Sequence, residues 1–351
     1  MPLWRSLAKL LSLAAILLAG GALVLWWQID ASMEQHSQAK PGTRIEVSSG
    51  ASLRQVLAEL SRVQALRHPR LIEWNLRLHG KSLRAQAGIY QLDAGASARE
   101  ILEQLASGRV VLSQVTIVEG WDFAQMRQAL NASPELVHEW RGLDDAAVMA
   151  NLGMKGVPAE GRFFPDTYRF AAGTSDRHIY ELAMQRMKER LQAAWAARAP
   201  DLPVRSAESA LILASIVEKE TGREDERPKV AAVFVNRLRL GMRLQSDPTV
   251  IYGLGTHYDG NLRRRDLETD GPYNSYTRGG LPPTPIALPG GASLHATLHP
   301  ASIDALYFVA TGNGDGGHQF SATYAEHNAA LRRFLKRTGA VPDSAVRGGS
   351  P

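Results

Sequence analysis

The stretch Ala207-Glu208-Ser209-Ala210-Leu211-Ile212-Leu213-Ala214-Ser215-Ile216-Val217-Glu218-Lys219-Glu220-Thr221-Gly222 decides how the rest of the chain is read. Its helix formers, with no Pro or Gly before the end, predict a helix over Ala207 to Thr221, and Gly222 stands where a closing residue belongs. At ~100° per residue, Leu213, Ile216 and Val217 share one apolar arc, and Glu220 falls inside that arc. Glu218 projects roughly 160° away, on the side of Leu211 and Ala214. A carboxylate on an apolar helical face is buried or lines a cleft. Either raises its pKa, because the charged form loses hydration. The negative end of the helix dipole pushes the same way. A proton held near neutral pH is what a general acid for a glycosidic oxygen needs. The alternative is a structural ion pair of Glu220 with Arg237 or Arg243.

Downstream, Lys229 to Leu240 reads as a second helix, followed by a turn-rich segment from Gly241 to Gly253. Further on come Tyr273-Asn274-Ser275-Tyr276 and Gly279-Gly280-Leu281-Pro282-Pro283. Loops that mix amides, phenols and glycine suit a sugar, which offers hydroxyls to amides and faces to aromatic rings. Gln245, Asp247, Tyr252, Asn274 and Tyr276, with Glu218 and Thr221 beside Glu220, are therefore candidate substrate-binding residues. Gly312-Asn313-Gly314-Asp315-Gly316-Gly317 reads as a turn between strands rather than a phosphate cradle, since no helix start follows it. Upstream, the loop Gly156 to Tyr168 packs aromatics around two carboxylates, and Phe123 to Asn131 and His178 to Ala199 read as helices. Asp166 and Tyr168 in that loop suit capping as well as contact with sugar.

Residues 43–115 read as a small α+β unit without a catalytic group. Arg44 to Val47 is an expected strand, and Ser52 with Gln55 forms a capping box for a helix to about Arg62. A helix from Pro69 to Gly80 draws its apolar side from Leu71, Ile72, Leu76 and Leu78, with Trp74 on a neighbouring row. Gly88 to Leu92 and Val110 to Val118 are expected strands around a helix that Ser97 caps and Gly108 ends. Before this unit, Leu10 to Trp27 carries no charge and would span about 27 Å as a helix. Arg5 and Lys9 precede it while Asp30 and Glu34 follow, so residues 1–9 are expected in the cytoplasm and the remaining chain outside. A cleaved signal peptide is the competing reading, because Ala19 to Ala22 are small; the apolar run continues past them, which favours a retained anchor. Residues 28–42 are expected to be a linker, 116–337 a larger mixed α+β domain, and 338–351 a disordered tail.

The 351-residue chain has no cysteine, which excludes disulfides, thiolate zinc sites and cysteine nucleophiles. Its formal charge of +5 comes from 40 basic and 35 acidic residues that interleave, with no basic stripe, so nucleic acid is not an expected partner. His299, His318 and His327 are spaced unlike a zinc site, so no metal or other cofactor is expected.

The runs Ala214-Ser215-Ile216-Val217-Glu218-Lys219-Glu220-Thr221, Asn236-Arg237-Leu238, Leu244-Gln245-Ser246-Asp247-Pro248-Thr249-Val250-Ile251-Tyr252-Gly253 and Tyr273-Asn274-Ser275-Tyr276 resemble the endolytic murein transglycosylase family, MltG or YceG-like. Glu160-Gly161, Phe164-Pro165-Asp166-Thr167-Tyr168, His299-Pro300, Tyr307-Phe308-Val309 and His318-Gln319-Phe320 also resemble its pattern, so the likeness covers about residues 43 to 335. The resemblance implies a LysM-like, glycan-binding first unit and Glu220 as the catalytic acid, with Thr221 supplying a hydroxyl where other lytic transglycosylases have Ser. It implies a lyase of the bacterial inner membrane that cuts the β-1,4 bond between N-acetylmuramic acid and N-acetylglucosamine, leaves a 1,6-anhydro end and so terminates nascent glycan strands. Peptidoglycan glycan strands are the expected partner, together with peptidoglycan synthases (penicillin-binding proteins) of the elongation or division machinery. Two rivals stand beside this reading: a hydrolase that pairs Glu220 with Asp247 or Glu218, and a peptidoglycan-binding scaffold that cuts nothing.

Overall fold

The computed structural model describes residues 3–48, 50–81 and 83–339. The chain is mixed α+β with a long apolar N-terminal helix, and it forms two compact units. The first runs to Gln114 and takes in Glu135–Val137 and Arg169–Thr174; the second holds Val115–Pro134, His138–Tyr168 and the chain from Ser175 on.

The first unit begins with α1 (Leu3–Ala31), of which Ala8–Ala31 is long and apolar enough to cross a membrane, with a mean hydropathy of 2.2. Such a helix suits an anchor or a signal sequence. Then come β1 (Arg44–Val47), α2 (Leu53–Arg62), α3 (Pro69–Leu78), β2 (Gly88–Gln91) and α4 (Ala98–Ser107), with β3 (Leu112–Thr116) passing into the second unit. β1 and β2 pair antiparallel with Ile45 opposite Tyr90, and strand alternation turns Ile45 and Val47 inward onto Leu57, Leu60, Ile72 and Ile101. Capping boxes at Ser52/Gln55 and Ser97/Glu100 start α2 and α4, and Gly108, at φ 68°, ends α4 in a left-handed turn that a side chain would strain.

Two expectations are corrected here. Trp74 and Leu78 are exposed, because the inward stripe of α3 follows Ile72, Asn75 and Leu76 at helical spacing and both residues lie off it. Residues 28–42 do not form a free linker: Ile29, Met33 and Ala39 are buried, and Arg99 N donates to Met33 O at 3.0 Å. The apolar side chains scattered among the polar ones are what seat the segment.

The remaining elements are α5 (Phe123–Ala132), β4 (Leu136–Val137), α6 (Asp145–Asn151), β5 (Thr167–Ala171), β6 (Thr174–Ser175), α7 (Asp176–Ala196), α8 (Ala207–Glu220), α9 (Arg227–Arg239), α10 (Asp247–Leu254), a single 3₁₀ turn (Gly255–His257), α11 (Arg264–Glu268), α12 (Gly291–Leu298), β7 (Tyr307–Ala310), β8 (His318–Ser321) and α13 (Tyr324–Thr338). β3 pairs with β5, β4 with β6 and β7 with β8. In the hairpin, the glycine-rich run from Gly312 to Gly317 joins β7 to β8, with Phe308 opposite Phe320. The expected tail begins later than residue 338, since α13 includes Thr338 and closes on Gly339 at φ 67°; residues 340–351 lie outside the described residues.

At the centre of the second unit, α8 is buried without interruption from Ala210 to Val217. Leu213, Ile216 and Val217 pack with Phe234, Val235 and Leu298, while Leu211 and Ala214 pack with Phe164, Met187 and Leu294. The helix is therefore apolar all round rather than amphipathic, as befits a core helix with neighbours on both sides. Burying each of its Leu, Ile and Val side chains contributes roughly 1.5–3 kcal/mol. Within the buried run the polar exception is Ser215, whose hydroxyl donates to Ile212 O at 2.7 Å and accepts from Ile286 N at 3.0 Å; the other polar groups stand at the ends of the helix.

Candidate active site

The polar end of α8 builds the site. Gly222 does not close the helix as expected: Thr221 caps it with extended backbone at φ −147°, and Thr221 Oγ1 accepts from Arg223 N at 3.0 Å. The hydroxyl bond to the following turn replaces the left-handed glycine closure. Thr221 is buried, so its hydroxyl shapes the exit of the helix.

Glu220, the last helical residue, accepts a hydrogen bond at Oε1 from Ser246 Oγ at 2.5 Å. Ser246 is held in turn, its N–H donating to Ser275 Oγ at 2.9 Å, while Ser275 Oγ lies 2.8 Å from Thr249 Oγ1. Burial is the main force on the Glu220 carboxyl and pushes it up to about 7; the Ser246 bond and the Arg237 charge pull down, and the Asp247 charge pushes up. With Oε1 engaged by Ser246, Oε2 is the oxygen left to carry the proton. No ion pair to Glu220 occurs among the described residues. Arg237 spends its guanidinium on Leu306 O at 2.7 Å, Leu244 O at 2.8 Å and Gln245 Oε1 at 3.1 Å, and Arg243 donates to Tyr276 O at 2.9 Å.

The candidate residues around Glu220 divide sharply. Asp247 is exposed beside Ser246 and accepts from Tyr276 OH at 2.5 Å; burial and that bond push the Tyr276 phenol up. Gln245 holds a left-handed backbone at φ 51°, its N–H donating to Ser275 O at 3.1 Å. Such a conformation in a residue other than glycine is a local strain kept by its surroundings. Asn274 is used up within its own loop: Nδ2 donates to Asp266 O, Leu267 O and Thr269 O, and Oδ1 accepts from Tyr276 N and Thr277 N. That inventory leaves it no donor for a sugar, and it orders the turn that presents Ser275 and Tyr276. Tyr252 belongs elsewhere, donating to Glu160 Oε2 at 3.2 Å.

Glu218, two residues before Glu220, has a different shell. Its side chain is 6% exposed, Oε2 accepts from Gly290 N at 2.9 Å, and Oε1 lies 3.8 Å from the equally buried Arg227 guanidinium. Nearby Glu119 is pushed up by burial and then by the Glu218 charge. Its Oε1 lies only 1.8 Å from where a Cβ on Gly290 would sit, so a side chain at that position would have to displace it. Glu218 fastens the start of α12 to α8.

Sequence reasoning missed Ser246 and Ser275 as members of the site and read 241–253 as turns only. The missed signal was Ser246-Asp247-Pro248, a helix start with an acidic residue and Pro in the first turn of α10. In the aromatic loop, Tyr168 OH donates to Phe164 O at 2.6 Å and Asp166 pairs with Arg186 at 2.5 Å, so both residues serve the loop. Among the described residues no group of three His, Asp or Glu is arranged to hold a metal ion; His318 instead sits 2.8 Å from Glu226.

Residues 45–333 match the model of the YceG-like family. The chain is 31% identical over 336 residues to an endolytic murein transglycosylase of Bacillus subtilis, covering 91% of each chain. It is 24% identical over 329 residues to an endolytic murein transglycosylase of Streptococcus pneumoniae, covering 84% of this chain and 59% of that protein. The crystal structure of a putative yceG-like protein from Listeria monocytogenes superposes with a TM-score of 0.52 at 28% identity, over 83% of this chain and 99% of that one.

Proposed function

The chain belongs to the YceG-like family and is a lytic transglycosylase, and on that premise we propose that it cuts the N-acetylmuramoyl-β-1,4-N-acetylglucosamine bond of nascent glycan strands from within, with Glu220 as acid and then base. The protonated carboxyl gives its proton to the leaving glycosidic oxygen as the bond to C1 breaks. The carboxylate then takes the proton of the muramoyl C6 hydroxyl while that oxygen bonds to C1. The product is a 1,6-anhydro end and no water is consumed. The 2-acetamido group of the substrate can carry positive charge at C1, so a second carboxylate is not needed.

The observation that carries the reading is the Glu220 carboxyl itself, pushed up to about 7 and bonded at 2.5 Å by a neutral hydroxyl rather than by a cation. A group half protonated at neutral pH serves both steps. The hydrolase alternative rests on Asp247, the nearby exposed carboxylate that pushes Glu220 up. Glu218 is a poor second partner because Arg227 and Gly290 hold it. End-group analysis of digested sacculi separates the two: anhydro ends support the transglycosylase, and free reducing sugars support the hydrolase.

The β-α-α-β order of β1, α2, α3 and β2 supports a LysM-like, glycan-binding role for the first unit. α1 supports a retained inner-membrane anchor with the cytoplasm at its N-terminal side and the chain that follows it outside. A periplasmic reporter fused after residue 351 should then be active, and the mature protein should keep its first residues; a new N-terminus near Ala22 would replace the anchor with a signal peptide. Peptidoglycan synthases are the proposed partners, since the nascent strand is their product.

A further inference from the structure

The chemistry at Glu220 leaves a second buried carboxylate without a task. Glu160 borders a cavity of about 450 Å³ that is also lined by Phe123, Ala146, Pro158, Tyr252 and Tyr273. Phe123 N donates to both of its oxygens at 3.2 Å, and Tyr252 OH donates to Oε2 at 3.2 Å. Burial nevertheless wins over these bonds and pushes the Glu160 carboxyl up to about 7. The Tyr252 and Tyr273 rings meet edge to face at 4.9 Å, and Tyr273 OH is tied to Thr284 Oγ1 at 2.8 Å. Asp145 on the border is neutralised by Arg127 at 2.6 Å. The cavity therefore offers phenol rings, apolar walls and a carboxyl that burial, and then the nearby Asp122 charge, push up.

Its position gives it a substrate. α10 starts with Asp247, next to Ser246 and Glu220, and carries Tyr252 five residues on, which is about 7.5 Å along the helix axis. Tyr273 at the cavity is followed by Ser275, which accepts from Ser246 N, and by Tyr276, which donates to Asp247, so one loop borders both the cavity and the Glu220 site. We propose that this cavity is a glycan subsite that takes an N-acetylhexosamine unit next to or one beyond the cleaved bond, Glu160 bonding its acetamido group and Tyr252 and Tyr273 covering its ring. The proposal rests on the reading of Glu220 as the residue that cuts the same strand.

The test uses the full chain in detergent. Ala146 is exposed at the border of the cavity, so Ala146→Trp blocks it without entering the core, and Glu160→Gln changes its chemistry while keeping its shape. In a Glu220→Gln background, long oligomers of N-acetylglucosamine should bind about tenfold more weakly to Ala146→Trp, with an unchanged melting temperature. With Glu220 intact, KM for glycan strands should rise by a similar factor while kcat holds. Glu160→Gln should flatten the change in oligomer affinity between pH 6 and 8. Unchanged oligomer affinity in both variants overturns the subsite, even where Glu220→Gln is inactive. Loss confined to substrates bearing stem peptides also overturns it, by assigning the cavity to peptide. A fully active Glu220→Gln enzyme, by contrast, defeats the cleavage reading while the binding measurement still judges the cavity.

Discussion

Glu218 and Glu220 stand two residues apart on the last turn of α8, and their surroundings give them opposite properties. Glu218 meets a cation and a main-chain amide, Arg227 at 3.8 Å and Gly290 N at 2.9 Å. Glu220 meets a serine hydroxyl at 2.5 Å and no cation partner. A carboxylate gripped by a guanidinium and a main-chain amide fastens elements together. Glu220, whose hydrogen bond comes from a neutral hydroxyl, is pushed up by burial against the pull of Ser246 and Arg237, and becomes an acid. The difference lies in what faces each residue across the fold, and neither partner is a sequence neighbour.

The widest break in this comparison is Glu220→Gln, which should lower turnover on sacculi by at least ~10², with anhydro ends as the readout. The same substitution should stabilise the protein at high pH. The sign follows from the raised carboxyl: its ordinary value is 4.5 and its folded value about 7, so its favourable contribution is complete below 4.5 and is lost as pH rises through 7. Above pH 7 the wild-type chain must keep a charge buried, at a cost of up to about 3 kcal/mol at ~1.36 kcal/mol per unit, whereas Gln has no charge to bury. Melting temperatures of the two proteins at pH 5.5 and pH 8.5 check this; a gap that does not widen with pH would contradict the burial of Glu220.

Next in size is Arg227→Met, which leaves Glu218 buried without its cation. A loss of about 3 kcal/mol of stability is expected, read as a lower melting temperature with the pH optimum of the surviving activity unmoved. Glu218→Gln should cost turnover far less than Glu220→Gln. Smaller still are two opposite shifts of the alkaline limb of kcat/KM, which wild type should show near pH 7. Ser246→Ala removes a bond that pulls the Glu220 carboxyl down, so the limb should move to higher pH. Asp247→Asn removes a charge that pushes it up, so the limb should move to lower pH. Limbs moving together would show that neither group acts through Glu220.

The first unit was the more legible part of the fold because its signals are local. Ser52 with Gln55, Ser97 with Glu100 and Gly108 each act within a turn of their own position, and they mark real boundaries. Where the sequence misled, the missing information was tertiary. Trp74 and Leu78 are apolar yet face outward, and the full burial of α8 depends on helices remote in sequence. At the site, the arc of Leu213, Ile216 and Val217 pointed to Glu220 because one helix carries all four residues. Ser246 and Ser275 escaped notice because their role exists only once α10 and the Asn274 turn meet α8. Asn274 looked like a sugar ligand from its type alone, whereas its five main-chain partners could be counted only in three dimensions.

The junction at the end of α1 has a mechanical consequence. Ile29 is buried at 4% exposure, and its carbonyl accepts from Asn75 Nδ2 at 3.3 Å, so the helix ends as part of the first unit and not as a leash. With α1 as the proposed anchor, the first unit cannot wander on a tether; it turns and tilts with the helix. Its stand-off from the lipid is then set like the jaw of a caliper. For the glycan-binding role proposed for the first unit, height above the bilayer then decides which strands it meets. Inserting a flexible glycine-serine stretch after Ala31 would turn the caliper into a leash, and the first unit should then reach glycan that the native junction keeps it from.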